Sequence, residues 1–381
     1  MKKTLIIAAL TCFAAPSFAQ KKAAKTPSTY TSTVINVPLT AENWDAPGAN
    51  AEFTTHDGRP ALKILPKQGQ VILKNTVFSN GTIEFDYIPT DQRFASFYFR
   101  YKDAKENELF YFRTHRAGDT TGIEAVQYAP NIDGVNLWDL LPQFQGKANF
   151  QNKTWNHVKL VVSGLQLRVY VNDMQQPTME VPCLEGNVKE GTFAFEGEGI
   201  VSNLVIKPGQ TESLPSYAGP DPVSHDPRYL RKWQVTEPAA LPKNVDFSID
   251  YAPKNETVWE PIWAERRGMI NLTRKFGMSK ERRIVWMKVN IQSKTDQKKK
   301  IAMGFSDDVW VFLNGRYLYV DKNSFGSPIM KEPAGRCSIE NTSFIIPFKA
   351  GKNELMIALA NDFYGWALIA RLEDLDGITL E

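Results

Sequence analysis

An all-β chain of two β-sandwich (jelly-roll) domains joined by a proline-rich linker is the fold class that this 381-residue sequence predicts, on three observations. Short runs rich in Val, Ile, Phe, Tyr and Trp recur along the chain, bounded by Gly, Pro, Asn and Asp, as strands and turns require. Aromatic residues make up 12% of the chain, with nine tryptophans, and long apolar runs of helical period are absent, so sheet faces rather than helix faces supply the core. Pro208, Pro215, Pro220, Pro222 and Pro227, with Gly209 and Gly219, then separate two such blocks. The length exceeds one ordinary sandwich and suits two domains that each bury a core.

In chain order, residues 1–19 carry a secretory signal pattern. Lys2-Lys3 is followed by an apolar run over 5–15 and the small-x-small site Ser17-Phe18-Ala19 before Gln20. That run is shorter than the about 20 apolar residues that span a bilayer, and Cys12, inside it after Thr11, does not suit a lipoprotein site. The expectation is a bacterial exported protein, periplasmic, cell-surface or secreted, with no membrane span. Residues 20–33 are polar and aperiodic, a flexible tether.

The first block, 34–207, predicts strands at 61–64, 70–73, 81–88, 94–101, 109–114, 122–128, 155–163, 166–171, 191–195 and 201–206. That number exceeds a simple immunoglobulin sandwich and suits a larger two-sheet jelly roll. The long connection 129–150 has room for a short helix at 137–141. Residues 208–228 form the linker, stiffened by proline. The second block, 229–381, predicts strands at 229–235, 259–264, 268–272, 283–292, 300–305, 309–313, 344–347, 354–360 and 366–372. Asn314-Gly315 is a type I′ hairpin signal, and Asp307 and Asp308 read as turn caps. Trp310 and Trp366, within alternating strands, read as core, and Lys298-Lys299-Lys300 as a solvated edge.

Composition narrows the partners. Basic residues number 45 against 42 acidic, a formal +3 to which Lys2 and Lys3 contribute two. Near-neutrality gives no reason to expect nucleic acid or an anionic membrane as partner. Cys183 and Cys337 fall in different blocks, whereas a disulfide needs Cα atoms within about 7 Å, so two isolated buried thiols are expected.

Two resemblances sit on specific segments. Gly81-Thr82-Ile83-Glu84-Phe85-Asp86-Tyr87, Phe97-Tyr98-Phe99-Arg100-Tyr101, Trp155-Asn156-His157-Val158-Lys159-Leu160-Val161-Val162 and Leu167-Arg168-Val169-Tyr170-Val171-Asn172-Asp173 follow in an order that resembles the concanavalin A-like lectin/glucanase superfamily. Ser306-Asp307-Asp308-Val309-Trp310-Val311-Phe312-Leu313-Asn314-Gly315-Arg316, then Phe348-Lys349-Ala350-Gly351-Lys352-Asn353-Glu354-Leu355 and Gly365-Trp366-Ala367-Leu368, resemble the galactose-binding-like jelly rolls of bacterial carbohydrate-active proteins. The resemblances imply an oligo- or polysaccharide partner and a ligand groove on the concave sheet of the first domain. They also leave a structural Ca²⁺ as an option that the sequence does not place.

The glucanases of that superfamily use a Glu-x-Asp-x-Glu or Glu-x-Asp-x-x-Glu strand, whose period-2 geometry puts the carboxylates on one face. Here Glu84 and Asp86 are followed by Ile88 and Pro89, and the second glutamate is missing. Glu196 and Glu198 are the remaining acidic pair, but Gly197 and Gly199 read as a turn, so they are weak catalytic candidates. His56, His115, His157 and His225 show no metal-ligand spacing. No Gly-x-Ser-x-Gly elbow, Walker loop or Gly-x-Gly-x-x-Gly is present. Asp374-Leu375-Asp376-Gly377 is at most a fragment of a calcium loop. No cofactor is expected.

The strand faces carry a clearer signal. Alternation puts Phe94, Ser96, Tyr98 and Arg100 on one face of the 94–101 strand, and Leu109, Tyr111, Arg113 and His115 on one face of the next, beside Gln127. Aromatics that stack on sugar rings, mixed with Arg, His and Gln that satisfy hydroxyls, suit a glycan groove. The candidate ligand residues are Tyr98, Arg100, Tyr111, Arg113, His115 and Gln127, with Trp138 at the rim; a solvent-facing sheet of cross-strand polar pairs is the plain alternative. The leading reading is an exported, non-catalytic carbohydrate-binding protein. A glycoside hydrolase or other glycan-modifying enzyme with nonstandard carboxylates, and a cell-envelope module with a protein partner, are the rivals.

Overall fold

The computed structural model describes residues 34–66, 69–90, 93–243 and 245–381; the signal sequence and tether expected over 1–33 lie outside the described residues. The chain is all-β, built from antiparallel sheets. In the first sandwich the outer sheet has the order Met179–Val181, Gln166–Val171, Asn156–Ser163, Gly81–Pro89, Gly199–Pro208, Arg59–Ile64 and Ala51–His56, with Ile35–Asn36 also on Gly199–Pro208. The inner sheet runs Gln145–Gly146, Val126–Tyr128, Glu108–Arg113, Phe94–Tyr101, Thr192–Glu196, Val71–Leu73 and Trp44–Asp45.

Period-2 alternation explains why these sheets face each other. In Gly81–Pro89, Ile83, Phe85 and Tyr87 are buried, and the rings of Phe85 and Tyr87 meet Phe97, Phe112 and Phe195 of the inner sheet at separations of 4.7–6.5 Å. Each such side chain contributes roughly 1.5–3 kcal/mol by leaving water. Glu84 and Asp86 point the other way and pair with Lys207, Arg59 and His157. The Glu-x-Asp strand is therefore an ordinary sandwich strand with a charged outer face.

In the second sandwich one sheet runs Glu260–Trp263, Lys232–Val235, Arg283–Ser293, Gly351–Asn361, Asp308–Leu313 and Arg316–Lys322, with Ala239–Ala240 and Ile378–Leu380 on Arg283–Ser293. The other runs Met269–Asn271, Ala367–Leu372, Gln297–Ser306 and Thr342–Phe348. Between them lie Val285, Met287, Val289, Met303, Phe305, Ile357, Leu359 and Trp366. Leu313 pairs with Arg316 across Asn314-Gly315, both at positive φ, as a two-residue hairpin requires. At the triple-lysine edge expected at 298–300 the lysines pair with one neighbouring strand and Lys298 and Lys300 are exposed, while Lys299 is buried against Asp374.

Residues 209–231 carry no strand, yet they are tied to both sandwiches. Gly219 N–H donates to Pro182 O and Gln166 Nε2 to Tyr217 O on one side, while Arg266 donates to Gly219 and Pro220 carbonyls on the other. The apolar cluster of the first sandwich, which includes Leu140 and Leu141, extends through Tyr229, Met269, Cys337, Ala367 and Ile369 onto the second. A continuous apolar contact of this kind opposes the relative motion otherwise expected of two domains. Cys183 and Cys337 are buried and unbridged. No described helix is long and apolar enough to cross a membrane.

Candidate functional site

The inner sheet of the first sandwich sets the floor of the site through its register. Tyr111 stands opposite Ser96 on one side and Gln127 on the other, Glu196 opposite Ser96, and Tyr98 opposite Leu109 and Ala194. One row across the sheet thus reads Gln127, Tyr111, Ser96, Glu196. Above it lies a cleft of about 640 Å³ whose lining includes Phe94, Ser96, Tyr98, Leu109, Tyr111, Arg113, Trp138, Glu196 and Glu198 from the first sandwich. Phe325, Arg336, Phe363 and Tyr364 of the second sandwich complete the lining.

The floor is locked by its own hydrogen bonds. Gln127 Oε1 accepts from Tyr111 Oη at 2.8 Å and Arg113 Nη2 at 2.7 Å, and Gln127 Nε2 donates to Trp138 O at 2.7 Å. Arg113 Nη1 donates to Glu124 O at 2.7 Å. Tyr98 Oη donates to Glu196 Oε2 at 2.6 Å, and Gln70 Nε2 donates to the same oxygen at 2.8 Å. Burial pushes the Tyr111 phenol up to about 12, and burial together with Glu196 pushes Tyr98 up as well. Both hydroxyls therefore stay protonated at neutral pH and act as hydrogen-bond groups rather than bases.

The rim is aromatic. Trp138 meets Phe325 edge-on at 4.8 Å, Tyr364 at 5.8 Å and Phe363 at 6.4 Å, while Phe325 and Phe363 stack at 6.0 Å. Phe94, Phe325, Phe363 and Tyr364 are each more than 40% exposed, unlike the core aromatics. The Phe363-Tyr364 loop is clamped from both sandwiches. Asp307 Oδ2 accepts the backbone N–H groups of Asp362 (2.6 Å) and Phe363 (2.8 Å), and both Asp139 oxygens accept Gly365 N–H, at 3.1 and 3.2 Å. A Cβ on Gly365 would come within 2.7 Å of Asp139 Oδ1, so only glycine permits this approach. The Asp307 expected as a local turn cap is instead a clamp on the rim loop, and Asp308 pairs with buried Arg282.

Several sequence-predicted residues sit elsewhere than expected. Arg100 is 1% exposed and turned away from the cleft, donating to Ser79 O at 2.9 Å and Gly164 O at 2.8 Å. Its φ of +47° and the register shift between Thr192 and Ala194 break the alternation that put it beside Tyr98. His115 lies in the one-turn helix Thr114–Arg116, exposed and outside the cleft lining. Gln127 is in the floor row but fully buried, its amide taken up by Tyr111, Arg113 and Trp138 O. The short helix expected at 137–141 is a turn, preceded by the Asn131–Ile132 and Val135–Asn136 hairpin.

Glu196 and Glu198 both line the cleft, but they flank one tight turn. Gly197 has φ +95°, and a Cβ there would lie 2.1 Å from Phe94 O. Both carboxylates thus come from one turn, and among the described residues the remaining lining, which includes Asn131, Asn136, Trp138, Arg113 and Arg336, holds no further carboxylate. Glycoside hydrolysis places its two carboxyl groups on either side of the scissile bond. Among the described residues no group of three or more His, Cys, Asp or Glu could hold a metal ion, and Asp374 is engaged by Lys299.

Phe325, Arg336, Phe363 and Tyr364 are the site residues that sequence reasoning missed. Two aromatics in a loop immediately before Gly365-Trp366 were the available sign, since loop aromatics are not needed for a sandwich core.

The fold and the site define a two-sandwich β-protein with an aromatic-rimmed cleft. No family model and no curated protein sequence matches the chain. Solved structures similar to it include the carbohydrate-binding module CBM66 of Bacillus subtilis, at 15% identity over 43% of this chain and 96% of that one, TM-score 0.33. The β-glucanase of Bacillus licheniformis is similar at 13% identity over 47% and 100%, TM-score 0.34, and a galectin of Caenorhabditis elegans at 17% over 43% and 98%, TM-score 0.26.

Proposed function

We propose that the protein is an exported carbohydrate-binding protein that holds a glycan in the cleft between its sandwiches, without cleaving it. The observation that carries this reading is the pairing of exposed rings with a fixed polar floor. Trp138, Phe94 and Phe363 offer faces to the apolar side of a sugar ring, while Tyr98, Tyr111, Arg113 and Glu196 supply donors and acceptors to hydroxyls. A cleft of about 640 Å³ falls within the roughly 300–1,000 Å³ of small-ligand sites. The floor groups are already held by neighbours, so little side-chain entropy is lost on binding. The placement of Glu196 and Glu198 on one turn supports binding over hydrolysis, because no other carboxylate among the described residues lines the cleft to complete a pair.

A glycan array with the protein lacking residues 1–19 tests the reading. We expect capture of at least one oligosaccharide, weakened about tenfold or more by Trp138→Ala, with no release of reducing sugar. A folded protein that binds no glycan, or one that cleaves its ligand through Glu196 or Glu198, overturns it. Export predicts that the mature chain begins at Gln20, which N-terminal sequencing of protein recovered outside the cytoplasm checks; an intact Met1 there contradicts it.

A further inference from the structure

Arg113 and Arg336 come from different sandwiches, are 7% and 6% exposed, and line the same end of the cleft. Neither forms an ion pair among the described residues. Arg113 spends its donors on neutral acceptors, Glu124 O, Gln127 Oε1 and Tyr111 Oη. Arg336 makes one long side-chain hydrogen bond, Nη1 to Ala334 O at 3.4 Å, and its Nε is buried without a partner. Burial, and next the Arg113 guanidinium, push Arg336 below the usual arginine range. Buried like charges of this kind are costly unless an anion joins them.

The nearby carboxylates do not serve. Glu124 is taken by Arg116. Asp139 is buried, pushed up to about 7, and directed at Gly365 N–H. Glu196 is held by Tyr98 and Gln70, at the hairpin wall. Meanwhile the Arg336 guanidinium lies 5.1 Å from the centre of the Trp138 ring, a stacking that leaves in-plane N–H donors for an oxyanion. The buried Asn341 Nδ2 donates to Arg336 O at 2.9 Å and so fixes the loop that presents it.

We propose that the cleft selects an anionic sugar, whose ring carboxylate or sulfate ester sits between Arg113 and Arg336 while its hydroxyls face Glu196 and Glu198. This names the ligand class within the glycan-binding reading and rests on it. A guanidinium fork matches either oxyanion, so uronate and sulfated sugars share the chemistry.

Titration calorimetry with the full mature chain separates the outcomes. The probes are polygalacturonate and its carboxyl-reduced form, and a sulfated galactan and its desulfated form. The proposal expects binding to one anionic polymer, at least about tenfold weaker after its carboxylate is reduced or its sulfate removed. Arg336→Gln should lower that affinity similarly. The direction of the pair, carboxylate or sulfate, tells which oxyanion is read. Neutral counterparts that bind as tightly overturn the proposal while the glycan-binding reading stands; absence of binding to any glycan overturns both. Because the polymer comparison uses the unaltered protein, it decides even if Arg336→Gln fails to fold.

Discussion

Two outward sheet faces of this molecule carry aromatic residues, and the chain treats them oppositely. In the second sandwich Trp286, Trp310 and Phe312 form a cluster with Ala358, covered by Leu241, Phe247 and Tyr251. Trp286 Nε1 donates to Tyr251 O at 2.6 Å and pins that cover. In the first sandwich Tyr98, Tyr111 and Leu109 occupy the comparable face and are nearly buried, with Trp138 packed against them, but the second sandwich leaves a cleft beside them. An aromatic on a strand face is therefore not a ligand platform by virtue of its position. What decides is whether the chain closes the face completely or leaves a cleft beside it.

That contrast is broken most forcefully on the sealed face. Trp310→Ala should cost about 3–5 kcal/mol of stability in urea unfolding, while the folded protein binds glycan as before; lost binding with intact stability would make the sealed face the site. Arg100→Ala should cost about 2–4 kcal/mol, because Ser79 and Gly164 carbonyls lose a charged donor, and should likewise spare binding. Trp138→Ala reverses the pattern, with affinity down about tenfold or more and only about 1–2 kcal/mol of stability lost.

The seam between the sandwiches supplies a pH test. Burial raises Asp139, Glu108 and Glu185 to about 7, with Glu265 adding to the rise at Glu185. The folded state then holds protons that the unfolded chain has already released between about pH 4.5 and 7. Stability should fall as pH rises through that window and level off above it. Asp139→Asn should flatten the slope measured by urea unfolding at pH 5 and 7.5; an unchanged slope would remove Asp139 from the account. The smallest effect belongs to His115→Ala, within about 0.5 kcal/mol in stability and without change in affinity.

The sequence made legible what depends on local period. The Phe94–Tyr101 and Gln166–Val171 strands follow directly from alternating runs and their turn residues, as does the Asn314-Gly315 hairpin. Tyr98, Tyr111 and Arg113 were legible for the same reason, since register carries a period-2 pattern across neighbouring strands. Arg100 was not, because a left-handed backbone position interrupts the period without a glycine to announce it. Short edge strands such as Ile35–Asn36 and Met179–Val181 were not legible either, being set by pairing rather than propensity. The second sandwich's share of the cleft escaped entirely. Phe325, Arg336 and Phe363 reach Trp138 only through packing between sandwiches, which no local pattern encodes.

Both sandwiches line the cleft, so a glycan held there would touch both. The most direct test is the affinity of Phe363→Ala for a glycan that the unaltered protein binds, measured by calorimetry with thermal unfolding as the folding control. Phe363 is 42% exposed, so its removal should leave unfolding nearly unchanged while affinity falls about tenfold. An affinity equal to that of the unaltered protein would contradict the shared site and return the second sandwich to the part of a spectator.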